Sequence, residues 1–166
     1  MLLMSDIVVS DPVRRQRYRF FPDGADLLVD VETDPGGGVP EHLHPTQTEW
    51  WEVMTGEVTF VIDGRSQAAV PGDRIRADAG VCHSFVNDGA TTALLKVRVS
   101  PADDLQAFLV EAARLARAGA FDASGKPSSP RAAVVLLRLA VRHRRVIQIT
   151  APTPMRVLNF AMRALP

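Results

Sequence analysis

The chain has 166 residues, 46% of them hydrophobic and 23% charged, which is the composition of an ordinary globular domain with one sizeable core. Its single cysteine, Cys82, excludes an intramolecular disulfide and gives no indication of an oxidising compartment. No apolar run approaches the roughly 18 residues that span a bilayer, and the N-terminus lacks the pattern of a signal peptide. A cytoplasmic protein is therefore expected.

The net charge of zero hides a difference between the two ends of the chain. Residues 1–122 carry 11 basic residues and all 19 acidic residues, a net charge of −8, whereas residues 123–166 carry eight basic residues and no acid. Such asymmetry indicates either a fit within the molecule or a charged partner. Residues 123–166, the basic part of the chain, therefore need their own explanation.

Residues 1–16 form an N-terminal segment that could add an edge strand, with a turn signal at Asp11-Pro12. From residue 17 to residue 100, short apolar runs alternate with turn signals such as Asp63-Gly64. Many short strands at this spacing predict a β-sandwich or barrel rather than an α/β sheet. Residues 17–100 are therefore expected to form one mainly β domain.

The pattern changes to helical spacing after Ser100, where the sequence Ser-Pro-Ala-Asp supplies a capping serine, a proline for the first turn and an acid. The same start recurs at Ser129-Pro130 and at Thr153-Pro154. We therefore expect residues 101–166 to form an α-helical extension. Its predicted helices lie at about 101–118, 130–146 and 154–164.

The second and third predicted helices are amphipathic and basic, and such helices need a surface to cover. One stripe of the second helix consists of Arg131, Arg138, Arg142 and Arg145. The favoured interpretation is packing on the acidic barrel or on a twin subunit, so a homodimer is the expected assembly. Attachment to a membrane surface is the main alternative. Nucleic acid is not expected as a partner, because the segment has no recognisable recognition module.

Candidate metal ligands cluster in one stretch, residues 36–56. His42 and His44 are two residues apart, so both side chains point to one face of an extended strand. Glu49 follows a Pro-Thr-Gln turn and can fold back beside them, and His83 lies on a later strand that a closed barrel could bring opposite. Imidazole suits Zn, Cu, Fe or Ni, and a carboxylate broadens the range toward Mn.

Two ordered motifs, at residues 36–56 and 72–87, resemble those of the cupin superfamily. The first matches at every fixed position, and the second departs only at Asp78, where the family usually has proline. Only 15 residues separate the two motifs, as in the compact, single-domain microbial cupins. The resemblance covers roughly residues 17–100 and implies a small jelly-roll β-barrel of six to eight strands.

The same resemblance implies that one divalent transition metal (Fe, Mn, Ni, Zn or Cu) is bound by His42, His44, Glu49 and His83. Three imidazoles and one carboxylate would leave coordination positions for water or substrate around a six-coordinate metal, as redox or Lewis-acid chemistry requires. Metal binding does not by itself imply turnover, since the same fold serves enzymes, sensors and storage proteins.

Strand alternation predicts an apolar cavity beside these ligands. It places Trp51 and Phe85 on the inward face, and Phe60 on the larger apolar face of its own strand. These three side chains are the predicted substrate contacts, although they could equally be barrel core. Gln47 and Arg76 are predicted polar contacts near the mouth. Such a pocket suits a flat or hydrophobic organic molecule better than a free sugar.

The leading functional hypothesis is a quercetinase-like dioxygenase that acts on a small organic molecule. Glu49 is its candidate catalytic residue, because a carboxylate that loosens from the metal could accept a substrate proton. The alternative from another class is a ligand-binding or sensory cupin without turnover, with the helical extension as its output surface. An isomerase or epimerase is a third hypothesis, although we identify no base for it among the residues that are not ligands.

Overall fold

The structure, a computed structural model, describes residues 8–150. Its elements in chain order are β1 (Val9–Asp11), β2 (Gln16–Asp23), β3 (Asp26–Thr33), β4 (Gly38–Leu43), β5 (Thr48–Thr55), β6 (Val58–Ile62), β7 (Arg65–Ala69), β8 (Arg74–Ala77), β9 (His83–Val86), β10 (Ala93–Ser100), α1 (Leu105–Arg117), α2 (Pro130–Arg142) and β11 (Gln148–Ile149). The prediction of a mainly β fold followed by helices is confirmed. The third predicted helix, 154–164, lies outside the described residues.

The strands form two antiparallel sheets. The larger sheet has the order β1-β2-β3-β10-β5-β8, with β1 of the N-terminal segment at its edge, and the smaller sheet has the order β11-β4-β9-β6-β7. Trp51 of β5 and Phe60 of β6 lie in different sheets, yet their ring centroids are 5.4 Å apart, so the two sheets face each other. Strands that are distant in sequence therefore meet around one interior.

Alternation along the strands gives each sheet an apolar inner face. In β5, Trp51 and Val53 are buried and their neighbours are more exposed, as the sequence predicts. In β10, the same alternation buries Leu95 and Val97. Removing this apolar surface from water is the main contribution to stability.

Phe60 lies at the centre of this core, 0% exposed, with its ring centroid 5.5 Å from that of Phe85. Phe60→Ala is expected to lower the free energy of unfolding by about 3–5 kcal/mol, because it removes a buried ring and leaves a cavity. Chemical denaturation measures the change. Val86→Ala, at a 39% exposed position, is the control and should cost about 0.5 kcal/mol or less. Equal losses in the two variants would contradict this placement.

Helix α1 begins later than the sequence predicts. It starts at Leu105 rather than near residue 101, because Ser100 still belongs to β10. The carbonyl oxygens of Pro101 and Ala102 each accept a hydrogen bond of 2.8 Å from the side-chain amide of Gln47. These contacts tie the turn to the barrel, so the serine-proline signal does not start the helix and that prediction is wrong.

Helix α2 begins where the sequence predicts, since the Ser129 hydroxyl accepts the backbone N–H of Ala132. It ends at Arg142 instead of residue 146, because the following residues form a turn around the carbonyl of His143 that leads into β11. Neither of the two helices within residues 8–150 is long and apolar enough to cross a membrane.

Helix α1 packs against the barrel of its own chain, and helix α2 contacts α1. Leu105 and Phe108 of α1 and Leu139 of α2 are buried in the same core as the strands. At the end of α2, the buried His143 donates from Nδ1 to the carboxylate of Asp104, at 2.7 Å. Packing within the chain therefore covers much of the apolar surface of α1, whereas α2 keeps two large apolar side chains exposed. A homodimer stays a prediction.

Candidate metal centre

The structure brings the four predicted ligands together inside the barrel. His42 lies on β4 and His83 on β9, and the two residues are register partners in the smaller sheet. His44 follows directly after β4, and Glu49 lies on β5 of the opposite sheet. One donor atom from each of the four side chains, three imidazole nitrogens and a carboxylate oxygen, lies within 4.8 Å of the others.

Backbone carbonyls orient all three imidazoles through their Nδ1 atoms. The Nδ1–O distances are 2.8 Å from His42 to Pro40, 2.9 Å from His83 to Val81 and 2.6 Å from His44 to Val146. A carbonyl oxygen only accepts hydrogen bonds, so each Nδ1 carries a hydrogen. Each Nε2 has no backbone partner, so it can bind a metal once it has lost any proton that it shares with Glu49.

The carboxylate completes the cluster. Glu49 Oε2 lies 3.1 Å from Nε2 of His44 and 3.1 Å from Nε2 of His83. Burial alone would raise the pKa of Glu49, but the hydrogen bonds from His44 and His83 outweigh it and hold that pKa below its ordinary value. Burial lowers the pKa of His42 well below its ordinary value. Glu49 is therefore ionised and His42 is neutral near pH 7, the protonation states that metal ligands need.

His44 is the imidazole that the carboxylate affects most clearly. Burial would lower the pKa of His44, but the hydrogen bond and the charge of Glu49 outweigh burial and raise it. The carboxylate therefore attracts a positive charge to the space between Nε2 of His44 and its own Oε2. Three imidazoles and one carboxylate match the preferences of Fe, Mn, Ni, Zn and Cu better than those of Mg or Ca. The donor set thus fits a divalent transition metal.

A small apolar cavity of about 70 Å³ adjoins the ligands. His42, His44 and Glu49 form its polar end, and its apolar walls come from both sheets, from α1 and from the segment after α2. These walls include Val29, Val39, Val97, Leu105, Phe108 and Ile147. The helical extension therefore contributes directly to the cavity, which sequence reasoning did not foresee.

Two of the five predicted substrate contacts line this cavity. They are Trp51 and Phe85, one from each sheet. The Trp51 ring also lies edge-on to that of His83, with centroids 5.2 Å apart, so it packs directly against a candidate ligand. Phe60 is buried behind the rings of Trp51 and Phe85 and is not among the residues that line the cavity. For Phe60, the alternative of a barrel core residue is the correct one.

Gln47 and Arg76, the predicted polar contacts near the mouth, do not line this cavity. Gln47 is 0% exposed, and its amide holds the turn before α1. Arg76 lies on the exposed face of β8, where its guanidinium pairs with Asp78 and lies over the ring of Trp50. Because Trp50 and Trp51 alternate along β5, a residue that contacts Trp50 lies on the outer side of the sheet.

Sequence reasoning missed Arg14 and Tyr18, which also line the cavity. Tyr18 is a buried residue of β2, and its hydroxyl donates to the side chain of Gln16 at 2.6 Å. The alternating pattern of β2 could have placed Tyr18 inward. Arg14 lies in the loop before β2, and no periodic pattern predicts the direction of a loop side chain.

Residues 29–97 match the family model described as the cupin domain. The chain contains a cupin domain. An RmlC-like cupin from Shewanella frigidimarina superposes with a TM-score of 0.55 over 64% of this chain and 93% of that one, at 20% sequence identity. A protein with a double-stranded β-helix domain from Klebsiella pneumoniae gives a TM-score of 0.52 over 62% and 90% of the two chains, also at 20% identity. These likenesses confirm the jelly-roll fold.

A curated relative adds a functional indication. The chain is 30% identical to quercetin 2,3-dioxygenase from Bacillus subtilis over 77 residues, which are 46% of this chain and 23% of that protein. The chain thus spans less than a quarter of the length of the relative that it matches. The activity of that relative is therefore only a proposal for this cupin.

Proposed function

We propose that this cupin is a metal-dependent dioxygenase that acts on a small, enolisable organic molecule. The observation that supports the proposal most is the cluster of three imidazoles and one carboxylate at the end of an apolar cavity. The partial likeness to quercetin 2,3-dioxygenase favours dioxygen chemistry. The four side chains would hold a divalent transition metal, which supplies Lewis-acid and redox chemistry when bound.

Glu49 would accept the substrate proton. Its Oε2 is held 3.1 Å from two imidazoles, whereas its Oε1 makes no hydrogen bond within residues 8–150. The side chain is 13% exposed and lines the cavity, so a bound molecule can reach it. A carboxylate with one free oxygen can take the proton of an enol or of an acidic C–H group. The apolar walls exclude water, which strengthens the interaction between charged groups in the site.

The cavity volume favours a small substrate. Ligand pockets of about 300–1,000 Å³ are typical for drug-sized molecules, and this cavity has about 70 Å³. A short diketone needs much less room than a three-ring flavonol. A flavonol would enter only if α1 or Trp51 moved away from the ligands, so we propose the smaller class.

Arg14 would orient the substrate from another wall of the cavity. Its Nη1 donates to the carboxylate of Asp11 at 2.8 Å, and its side chain is 15% exposed. Within residues 8–150, its Nε and Nη2 make no hydrogen bond. A guanidinium fixed in this way can donate to a carbonyl or carboxylate oxygen. A substrate with one oxygen near the metal ligands and another near Arg14 would be bound in a single orientation.

Arg14→Met is expected to raise KM about 10- to 100-fold and to change kcat little. The reason is that a hydrogen bond to a charged group contributes about 1.5–3 kcal/mol to binding, in the ground state and the transition state alike. Steady-state oxygen uptake at varied substrate concentration measures both constants. Arg14→Lys is the matched variant, which keeps the positive charge but lacks the planar guanidinium group. Its KM is expected to lie between those of the wild type and Arg14→Met. A fall in kcat at unchanged KM would contradict this role.

Oxygen consumption tests the proposal directly. The chain is loaded separately with Fe, Mn and Ni, and each form is mixed with short diketones and with flavonols. Metal-dependent uptake with a diketone supports the proposal. The absence of oxygen uptake with every metal and every substrate would contradict it.

A second candidate, a ligand-binding cupin without turnover, is favoured by the small cavity between Trp51 and Phe85. Calorimetric binding of a diketone to the metal-loaded chain, with no oxygen uptake, would identify this function instead.

A further inference from the structure

We infer that residues 143–150, the C-terminal segment, form part of the metal centre, because they orient His44 and so set the affinity for the metal. The inference rests on the proposed metal site and does not depend on the reaction. It also gives the extension after α2 a role beyond covering the barrel.

His44 differs from the other two histidine ligands in its hydrogen-bond partner. His42 and His83 donate from Nδ1 to carbonyl oxygens two residues before them in the chain. His44 donates to the carbonyl of Val146, 102 residues later, at 2.6 Å. Val146 is 0% exposed, so water cannot take over this bond while the segment stays in place. One ligand therefore depends on a part of the chain outside the barrel.

Backbone pairing fixes the C-terminal segment to the strand that carries a second ligand. Ile149 of β11 pairs with His42 of β4. The backbone N–H of Thr150 donates to the Glu41 carbonyl at 3.0 Å, and the Thr150 hydroxyl donates to the Glu41 carboxylate at 2.9 Å. Strand β11 is thus the edge of the smaller sheet, and β4 is an internal strand.

The other end of the segment is anchored to α1. His143 is 3% exposed and donates from Nδ1 to Asp104, as described above. The carbonyl of His143 accepts the N–H of Val146 at 2.9 Å, which fixes the turn that presents the Val146 carbonyl to His44. The His143 ring also packs against Phe108, a residue of the cavity wall, with centroids 5.6 Å apart. Both ends of the segment are therefore held, and its middle contacts a ligand.

A hydrogen bond to the ring nitrogen opposite the metal fixes the tautomer and the orientation of the imidazole. Losing such a partner typically lowers metal affinity about 10- to 100-fold. The other two imidazoles keep their own carbonyl partners, so displacement of β11 should weaken the site without destroying it. Any event that lifts β11 from β4 would then reduce the affinity for the metal.

The test is Thr150→Pro in the full chain, because proline removes the N–H that donates to Glu41 and restricts Ile149 before it. Thr150→Val is the matched control, which keeps that N–H and loses only the hydroxyl. The Kd for Zn²⁺, measured by competition with a chromophoric chelator, is expected to rise about 10- to 100-fold in Thr150→Pro. It should stay near the wild-type value in Thr150→Val.

Imidazole N–H resonances of the Zn²⁺-loaded protein provide a second measurement that also reports on folding. In Thr150→Pro, the Nδ1–H signal of His44 should exchange rapidly with water, while those of His42 and His83 persist. A Kd that stays at the wild-type value while the His44 signal exchanges rapidly would overturn the inference. Loss of all three signals would also overturn it, since the segment would then act on the whole fold.

Zn²⁺ binding and oxygen uptake by the wild-type chain distinguish a failure of this inference from a failure of the proposed metal site or of the proposed dioxygenase activity. A wild-type chain that binds no Zn²⁺ would overturn both the metal site and the role of the C-terminal segment. A wild-type chain that binds Zn²⁺ but consumes no oxygen would contradict the dioxygenase alone. In that case the Thr150→Pro comparison still decides whether the segment sets metal affinity.

Discussion

Glu49→Gln is expected to slow oxygen uptake about 10²- to 10⁴-fold when the variant is saturated with the most active metal. Glutamine preserves the size of the side chain and one carbonyl oxygen, but it cannot accept a substrate proton and carries no charge. Without metal, Oε2 of the wild-type carboxylate lies 3.1 Å from Nε2 of His44 and 3.1 Å from Nε2 of His83, and these contacts hold the pKa of Glu49 below its ordinary value. The carboxylate is therefore ionised, which is the state that a base requires. The measurement is kcat in an oxygen electrode, with metal content determined on the same sample.

Glu52→Gln is the matched control for this variant. Glu52 lies three residues further along β5, on the outer face, where it pairs with Arg74 at 3.4 Å. Strand alternation keeps its side chain away from the cavity, so kcat should be unchanged. A Glu49→Gln protein with full metal content and undiminished kcat would show that Glu49 is not the base.

The double variant His42→Ala/His83→Ala is expected to lose its metal completely under conditions that saturate the wild type. It removes two of the three imidazoles and leaves His44 and Glu49, which are too few ligands for a site of this type. Elemental analysis after desalting gives the ratio of metal to protein. Near-UV circular dichroism checks that the barrel stays folded.

Cys82→Ser controls for substitution next to a ligand. Cys82 adjoins His83 but is half-buried and takes no part in the ligand cluster. This variant should keep one metal per chain. If the double histidine variant kept stoichiometric metal as well, the metal would be bound elsewhere and the proposed centre would be wrong.

The ligand cluster was predictable because local rules decide most of it. His42 and His44 share a face of one extended strand, and strand alternation placed Trp51 inward beside Glu49. His83 is different, since it reaches His42 only through the pairing of β4 with β9. Periodicity alone does not show which strands pair. The prediction that His83 is a ligand therefore came from the resemblance of the second motif to the cupin pattern.

The features that were wrong or missed depend on contacts between distant parts of the chain. Gln47 is a polar residue in a loop beside the ligands, which suggested a substrate contact. Its actual partners, the carbonyls of Pro101 and Ala102, lie 54 and 55 residues away. The same contacts hold the turn before α1, so the helix starts at Leu105 and not near residue 101. The bond from His44 to the Val146 carbonyl involves a backbone group, which no side-chain motif can signal.

The most direct test of the central claim is anomalous diffraction from crystals of the wild-type chain grown with Zn²⁺, recorded at the zinc absorption edge. We predict one strong peak among the Nε2 atoms of His42, His44 and His83 and the carboxylate of Glu49, at roughly 2.0–2.2 Å from its ligands. Crystals that show no peak at this position, whether zinc is absent or bound elsewhere, would contradict the metal centre.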